Sequence, residues 1–191
     1  MTEYDALVLA GGRATRLGGV DKPGLPVGGT PLLDRVLVAV GGAVRRIVVG
    51  PTHAPGADVV TQEDPPGGGP VAGIAAGLAH VGSPAVVVLA ADLPFLTPGT
   101  VDRLLAALGP GVDATMLLDG DGREQLLLSA WRTVVLRDRI TALGEPAGRS
   151  VKGLFEGVAI VRVVAALDEG QPPPWLDCDT EDDLRRAREW A

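Results

Sequence analysis

The stretch LAGGRATRLGGVDK, Leu9 to Lys22, decides how the rest of the chain is read. It holds four glycines and three cations in fourteen residues, directly on the apolar run Ala6–Ala10. A short apolar run of this kind reads as a strand. Beyond the stretch, Pro31–Val40 reads as a helix, with Leu32, Leu33, Val36, Leu37 and Val40 at helical spacing. Gly11 and Gly12 permit positive φ and a close backbone approach to a ligand. Successive N–H groups in such a turn form a concave anion site, and Arg13, Arg16 and Lys22 surround it with positive charge. The stretch spells neither common phosphate motif. No Lys-Ser or Lys-Thr pair follows, as a P-loop needs, and Ala14 stands at the third position of a G-x-G-x-x-G pattern begun at Gly12. The bland alternative is a strand-to-loop turn with solvated cations. Cations clustered inside the glycine run of an acidic chain argue against it.

The alternation of strand and helix continues outward. Arg46–Gly50 and Asp58–Thr61 read as strands and Pro70–His80 as a helix. Ala85–Ala91 is the most continuous apolar run, as expected of a strand buried on both faces. Thr97–Leu108 reads as a helix opened by Thr97 as N-cap and Pro98. This order predicts an α/β fold, Rossmann-like, with three α/β/α layers and a mostly parallel mixed central sheet. Ligands in such sheets bind beyond the carboxyl ends of the strands. The loops after Ala10, Gly50, Thr61 and Ala91 are therefore expected to converge on one crevice.

The second half is less regular. Asp113–Leu118 and Glu124–Trp131 read as strands flanking a hairpin-like Asp119-Gly120-Asp121-Gly122. Thr133–Leu143 reads as a helix, Ser150–Glu156 as a short helix and Val158–Val164 as a strand. After the extended Gln171–Pro174, Trp175–Cys178 reads as a last short strand. Thr180 caps a final helix through Trp190, with Asp183 as its capping-box acid.

Composition bounds the function. The chain has 191 residues, the size of one domain, and no linker divides it. The net charge of −7 with no basic stripe argues against a nucleic-acid partner. No apolar run approaches the roughly 20 residues of a membrane span, and acids follow Met1 where a signal peptide carries cations. The single cysteine, Cys178, has no internal disulfide partner. The expectation is a cytoplasmic protein without a membrane partner, and a monomer is compatible with the sequence.

Three further features carry chemistry. Asp92 comes where the most buried strand should end. A carboxylate there can hold Mg²⁺, which takes one or two carboxylates together with waters and phosphate oxygens, or it can serve as a plain turn or capping residue. Glu63 and Asp64 open a glycine-rich loop between a strand and a helix, where acids can read a base or ribose. Arg123 and Gln125, and Arg149 and Ser150, are candidates to hold the distal, anionic part of a substrate.

Taken together these residues have a family likeness. LAGGRATRLGGVDK resembles the L-A-G-G-x-x-x-R-[ML]-G-x-x-K motif of nucleotidyltransferases, and within them the molybdenum cofactor guanylyltransferase family. KPGLPVGGTPLLDRVL, EDPPGGGPVAGIAAGL, VVVLAADLPFLTP, GRSVKGLFEG and LDCDTEDDL are similar to successive segments of that family along nearly the whole chain. The resemblance implies a nucleotide-diphospho-sugar transferase type of fold. It divides the single domain into a nucleotide-binding part, about 1–110, and an acceptor part, about 111–191. It implies transfer of GMP from GTP to a molybdopterin-type acceptor with release of pyrophosphate. Leu9, Ala10 and Gly11 then belong to the nucleotide loop, Lys22 to the phosphates, Asp64 to the nucleotide, and Asp92 to nucleotide and Mg²⁺; the glycine and charge pattern of the stretch adds Gly12 and Arg13 to the loop and Arg16 to the phosphates. The A-G-G spelling favours guanine. The chain departs from the family at Asp177 and Asp179, where Asn is usual, and Asp179 is a candidate second metal ligand. Alternative readings are a cytidylyltransferase or other small-acceptor nucleotidyltransferase, and a non-catalytic GTP-binding module. The pair of Lys22 and Asp92 speaks against the module.

Overall fold

Strand β1 (Tyr4–Leu9) is buried along its whole length. Its side chains alternate, so that Ala6 and Val8 enter one apolar cluster while Leu7 and Leu9 enter another on the opposite face. A strand of this kind must lie at the centre of a sheet covered on both sides. The computed structural model, which describes residues 2–11, 22–165 and 170–191, shows that arrangement. The elements after β1 are β2 (Pro26–Val27), β3 (Thr30–Pro31), α1 (Leu32–Ala39), β4 (Arg46–Val49), β5 (Val59–Thr61), α2 (Pro70–Leu78) and β6 (Ala85–Ala90). They continue with α3 (Pro98–Ala106), β7 (Ala114–Leu118), β8 (Glu124–Arg132), α4 (Thr133–Leu143), β9 (Ile160–Val164) and α5 (Glu181–Trp190).

The main sheet has the order β5-β4-β1-β6-β8-β7-β9. Within it β5, β4, β1 and β6 are mutually parallel, as are β7 and β9. Only β8 runs against its neighbours, β6 and β7. Leu33, Val36 and Leu37 of α1 and Val101 and Leu104 of α3 cover one face. Val71, Ile74 and Leu78 of α2 and Leu136 of α4 cover the other. The expected three layers and mostly parallel mixed sheet are present. Among the described residues no helix is long and apolar enough to cross a membrane.

One buried charge locks this core. Asp5, fully enclosed in β1, accepts hydrogen bonds from Gly82 N at 2.6 Å, Ser83 N at 3.0 Å and Ser83 Oγ at 2.9 Å. A carboxylate satisfied by three donors is tolerated where an unpaired one is not. It anchors the loop that leads into β6.

The structure corrects several local expectations. Trp175–Cys178 is not a strand. The chain turns at Pro174 and Trp175 and then runs irregularly, with Cys178 buried beneath α5. Ser150–Glu156 is a single 3-10 segment, Val151–Phe155, N-capped by Ser150. The small antiparallel pair β2–β3 was not foreseen. The caps at Thr97 and Thr180 are as expected, the second being a full capping box with Asp183.

Candidate active site

The carboxyl ends of β1, β4, β5 and β6 lie side by side and are stitched together by backbone bonds. Ala10 N donates to Val49 O at 2.8 Å, Gly50 N to Thr61 O at 2.9 Å, and Ala91 N to Leu9 O at 3.0 Å. The four loops therefore open on one edge, as the topology requires. Gly50 makes the closest of these approaches. With φ at +148°, its bare Cα faces the Ala10–Gly11 peptide, and a Cβ would lie 2.7 Å from Ala10 C and from Gly11 N. Leu9, Ala10 and Gly11 thus sit at the centre of the edge. Gly12, Arg13 and Arg16 lie outside the described residues.

A small apolar cluster then gathers three distant segments at this edge. Val27, Leu32, Cys178, Leu184 and Ala187 form its buried centre, with Leu25, Phe95 and Leu176 packed against it. Leu25 lies three residues after Lys22, Phe95 three after Asp92, and Cys178 one before Asp179. Burying these side chains together brings their polar neighbours together above them. Lys22 starts a 3-10 turn, Asp92 follows β6, and Asp179 immediately precedes the N-cap of α5.

The result is an ion triad. Lys22 Nζ donates to Asp92 Oδ2 and, at 2.6 Å, to Asp179 Oδ1. The Lys22 and Asp92 side chains are 17% and 19% exposed, whereas Asp179 is 53% exposed. The Lys22–Asp92 pair is therefore the shielded one, where charges interact more strongly than across water. Burial pulls the Lys22 ammonium down, but the two carboxylates outweigh it and hold its pKa above the usual lysine range. Nearby Asp177 is exposed, yet partial desolvation and the charges of Asp92 and Asp179 push its carboxyl up. Burial pushes the Cys178 thiol up to about 12, so it is an inert part of the apolar cluster. Among the described residues no group of three or more His, Cys, Asp or Glu side chains forms a ready-made metal cage. Asp92 and Asp179 instead offer two hard oxygen donors around one point. That suits an ion which takes its remaining ligands from water and phosphate.

The remaining candidates are distributed along the same edge. Asp64 is exposed and lines a cavity of about 230 Å³ with Glu63, Gly68, Ala72 and Glu145. Because β7 runs parallel to the nucleotide-side strands, the β7–β8 turn also opens there. Asp119 organises that turn. Its Oδ1 accepts from Arg123 N at 2.8 Å and Asp121 N at 2.9 Å, and Gln125 Nε2 donates to its Oδ2 at 3.1 Å. Gln125 thus braces the turn, and Arg123 is exposed and paired with Asp121 at 3.3 Å. Arg149 Nε donates to Glu145 O at 3.2 Å, and Ser150 Oγ accepts from Lys152 N at 3.2 Å. Their segment is tied to the glycine loop after β5 by a bond from Gly148 N to Gly68 O at 2.8 Å. One contributor escaped sequence reasoning. Arg35 of α1 donates to Val27 O at 2.9 Å and Pro94 O at 3.3 Å, fastening the β2–β3 turn to the loop after Asp92. A single arginine on an amphipathic helix carries no signal of that role.

Comparison with known proteins adds the context. Residues 6–166 match the MobA-like NTP transferase domain. The molybdenum cofactor guanylyltransferase of Rhodobacter capsulatus is 33% identical over 192 residues, spanning 96% of this chain and 94% of that relative. The chain belongs to the molybdenum cofactor guanylyltransferase family. As a member of it, the chain is a nucleotidyltransferase. Among solved structures, a nucleotidyl transferase from Methanothermobacter superposes with a TM-score of 0.78 at 25% identity, over 98% of this chain and 96% of that one. The molybdopterin-guanine dinucleotide biosynthesis protein A of Archaeoglobus fulgidus shares the fold, with a TM-score of 0.72 at 22% identity over 97% of each chain.

Proposed function

We propose that this chain transfers GMP from GTP to the phosphate of a molybdopterin-type acceptor, releasing pyrophosphate. The observation that carries the reading is the meeting of Lys22, Asp92 and Asp179 at the edge where the four parallel strands end. A family that uses GTP with a divalent metal needs a cation and carboxylates at that edge.

An oxygen of the acceptor phosphate attacks the α-phosphorus of GTP, and the bond from that phosphorus to the bridging oxygen of the β-phosphate breaks. Both reactants are anions, so the protein's work is to position them and to neutralise charge. No protein nucleophile is needed. The Gly11 N–H is the backbone donor assigned to a phosphate oxygen, since the Ala10 N–H is held by Val49 O. Lys22, within reach of the same edge, stabilises the charge that builds on the leaving pyrophosphate. Asp92 and Asp179 would hold Mg²⁺, which when bound shields the phosphate oxygens and withdraws charge from them. Asp64 takes the nucleoside side, and the segments carrying Arg123, Gln125, Arg149 and Ser150 take the acceptor side.

The test is pyrophosphate release with purified chain and Mg²⁺, from GTP or CTP, with and without molybdopterin. The expected result is release from GTP that depends on the acceptor. Release from CTP alone would move the chain to the cytidylyltransferases, and GTP binding without release under any condition would leave only a binding module.

A further inference from the structure

The triad raises a question of occupancy. The two carboxylates assigned to the divalent ion are already taken by a cation of the chain itself. Lys22 Nζ bonds to Asp92 Oδ2 and to Asp179 Oδ1 together. An ammonium offers three donors, and these contacts use two. A divalent ion bound to the same oxygens would lie within a few ångströms of Nζ. At about 4 Å like charges repel by several kcal/mol where shielding lowers the effective dielectric. The Lys22–Asp92 contact is shielded in this way. Ammonium and metal therefore compete for these two oxygens.

Resting on the reading that Asp92 and Asp179 hold the ion, we propose that Lys22 is a tethered stand-in for it. Lys22 holds the two carboxylates together until nucleotide phosphates offer it another anion, and it then releases them. Three features of the fold support this. The backbones that carry the carboxylates are placed by separate elements, Asp92 just after β6 and Asp179 just before the capped start of α5. The apolar cluster beneath them keeps all three segments in register. Finally, the two N–H groups that Lys22 gives to Asp92 and Asp179 cannot serve an arriving triphosphate at the same time. Nucleotide and metal must then bind cooperatively. GTP draws Lys22 away and opens the carboxylates, and by linkage the metal favours the state that binds GTP.

The probe is Mn²⁺, with free ion followed by electron paramagnetic resonance on the full chain without nucleotide. Lys22→Met keeps the length of the side chain and removes its charge. This variant is expected to bind Mn²⁺ about ten-fold more tightly than wild type, a typical size for coupling between sites. GTP is expected to tighten Mn²⁺ binding in wild type by at least that factor, and much less in the variant. Lys22→Gln serves as the second variant should a thermal melt show that Lys22→Met fails to fold. Mn²⁺ affinity in both variants equal to or below wild type would overturn the proposal. Absence of Mn²⁺ binding in wild type and variants alike, with Asp92→Asn no different, would overturn the metal assignment as well. Acceptor-dependent pyrophosphate release would still stand or fall separately.

Discussion

Replacing Gly50 with alanine tests whether the central turn depends on the close approach of two strand ends. The added Cβ would lie 2.7 Å from Ala10 C and Gly11 N and 2.8 Å from Ala10 O. That is about 0.8 Å inside a normal carbon contact. All three atoms are backbone, so no side chain can rotate away. The strand ends cannot part freely either, because Ala10 N bonds to Val49 O and Gly50 N to Thr61 O. Overpacking of this kind costs about 1–3 kcal/mol, and a non-glycine residue at φ +148° adds about 1–3 kcal/mol of backbone strain. A total near 4 kcal/mol lowers the melting temperature by about 8–16 °C in a domain of this size. The strain falls on the turn assigned to the nucleotide, so the KM for GTP should rise about ten-fold, equivalent to about 1.4 kcal/mol of lost binding. Differential scanning calorimetry and steady-state pyrophosphate release read the two effects. Gly109→Ala, where a Cβ meets nothing within 4 Å, is the control and should change neither. A Gly50→Ala variant melting within about 2 °C of wild type with an unchanged KM would mean that the two strand ends admit a side chain between them.

Other outcomes follow from the same geometry. Asp92→Ala and Lys22→Ala should each reduce turnover by at least ~10²-fold, the usual loss when a preorganised charge is removed; near-wild-type turnover in either variant sinks its assignment. Asp5→Ala strands the donors of Gly82 and Ser83. It should cost about 3–5 kcal/mol in urea unfolding, since three bonds to a charged acceptor contribute about 1.5–3 kcal/mol each and relief of the carboxylate's burial cost offsets part of that sum; a loss below about 1 kcal/mol would contradict the buried anchor. Cys178, buried with its thiol pushed up to about 12, should ignore a disulfide reagent at pH 8 in the native protein and react fully once unfolded. Prompt native reaction would mean that the apolar cluster beneath the triad opens.

Much of this was legible in the sequence because the elements that build the sheet carry strong local signals. β1 and β6 are Val- and Leu-rich runs, α1 has a helical stripe, and α3 and α5 announce their starts with Thr97 and Thr180. The strands of the first half share a direction, so the convergence of their loops followed from topology alone. The pair β2–β3 escaped because two-residue strands contain no period to detect. Trp175–Cys178 imitated a strand because its apolar residues are buried by tertiary packing against the sheet and α5, not by pairing. The site was legible as a set of residues and not as a set of contacts. Lys22 and Asp92 were expected to meet the same substrate, but a bond between Lys22 and Asp179 spans 157 positions and depends on α5 folding back over β2. The residues proposed for the acceptor side show the reverse difficulty. Gln125 and Ser150 have local partners in Asp119 and Lys152, and turn chemistry of that sort was readable around Asp119-Gly120-Asp121-Gly122.

The single reversed strand, β8, separates two kinds of loop on one edge. After β1, β5 and β6 each loop begins a crossover that carries a helix, so changing its length means re-seating that helix on the sheet. Between β7 and β8 the connection is a hairpin tip, which can lengthen, shorten or change composition while its strands stay paired. One rim of the cleft is thus held to a fixed shape and the other is free to vary. A lineage with this scaffold could keep one donor and explore many recipients by editing a few residues around Asp119.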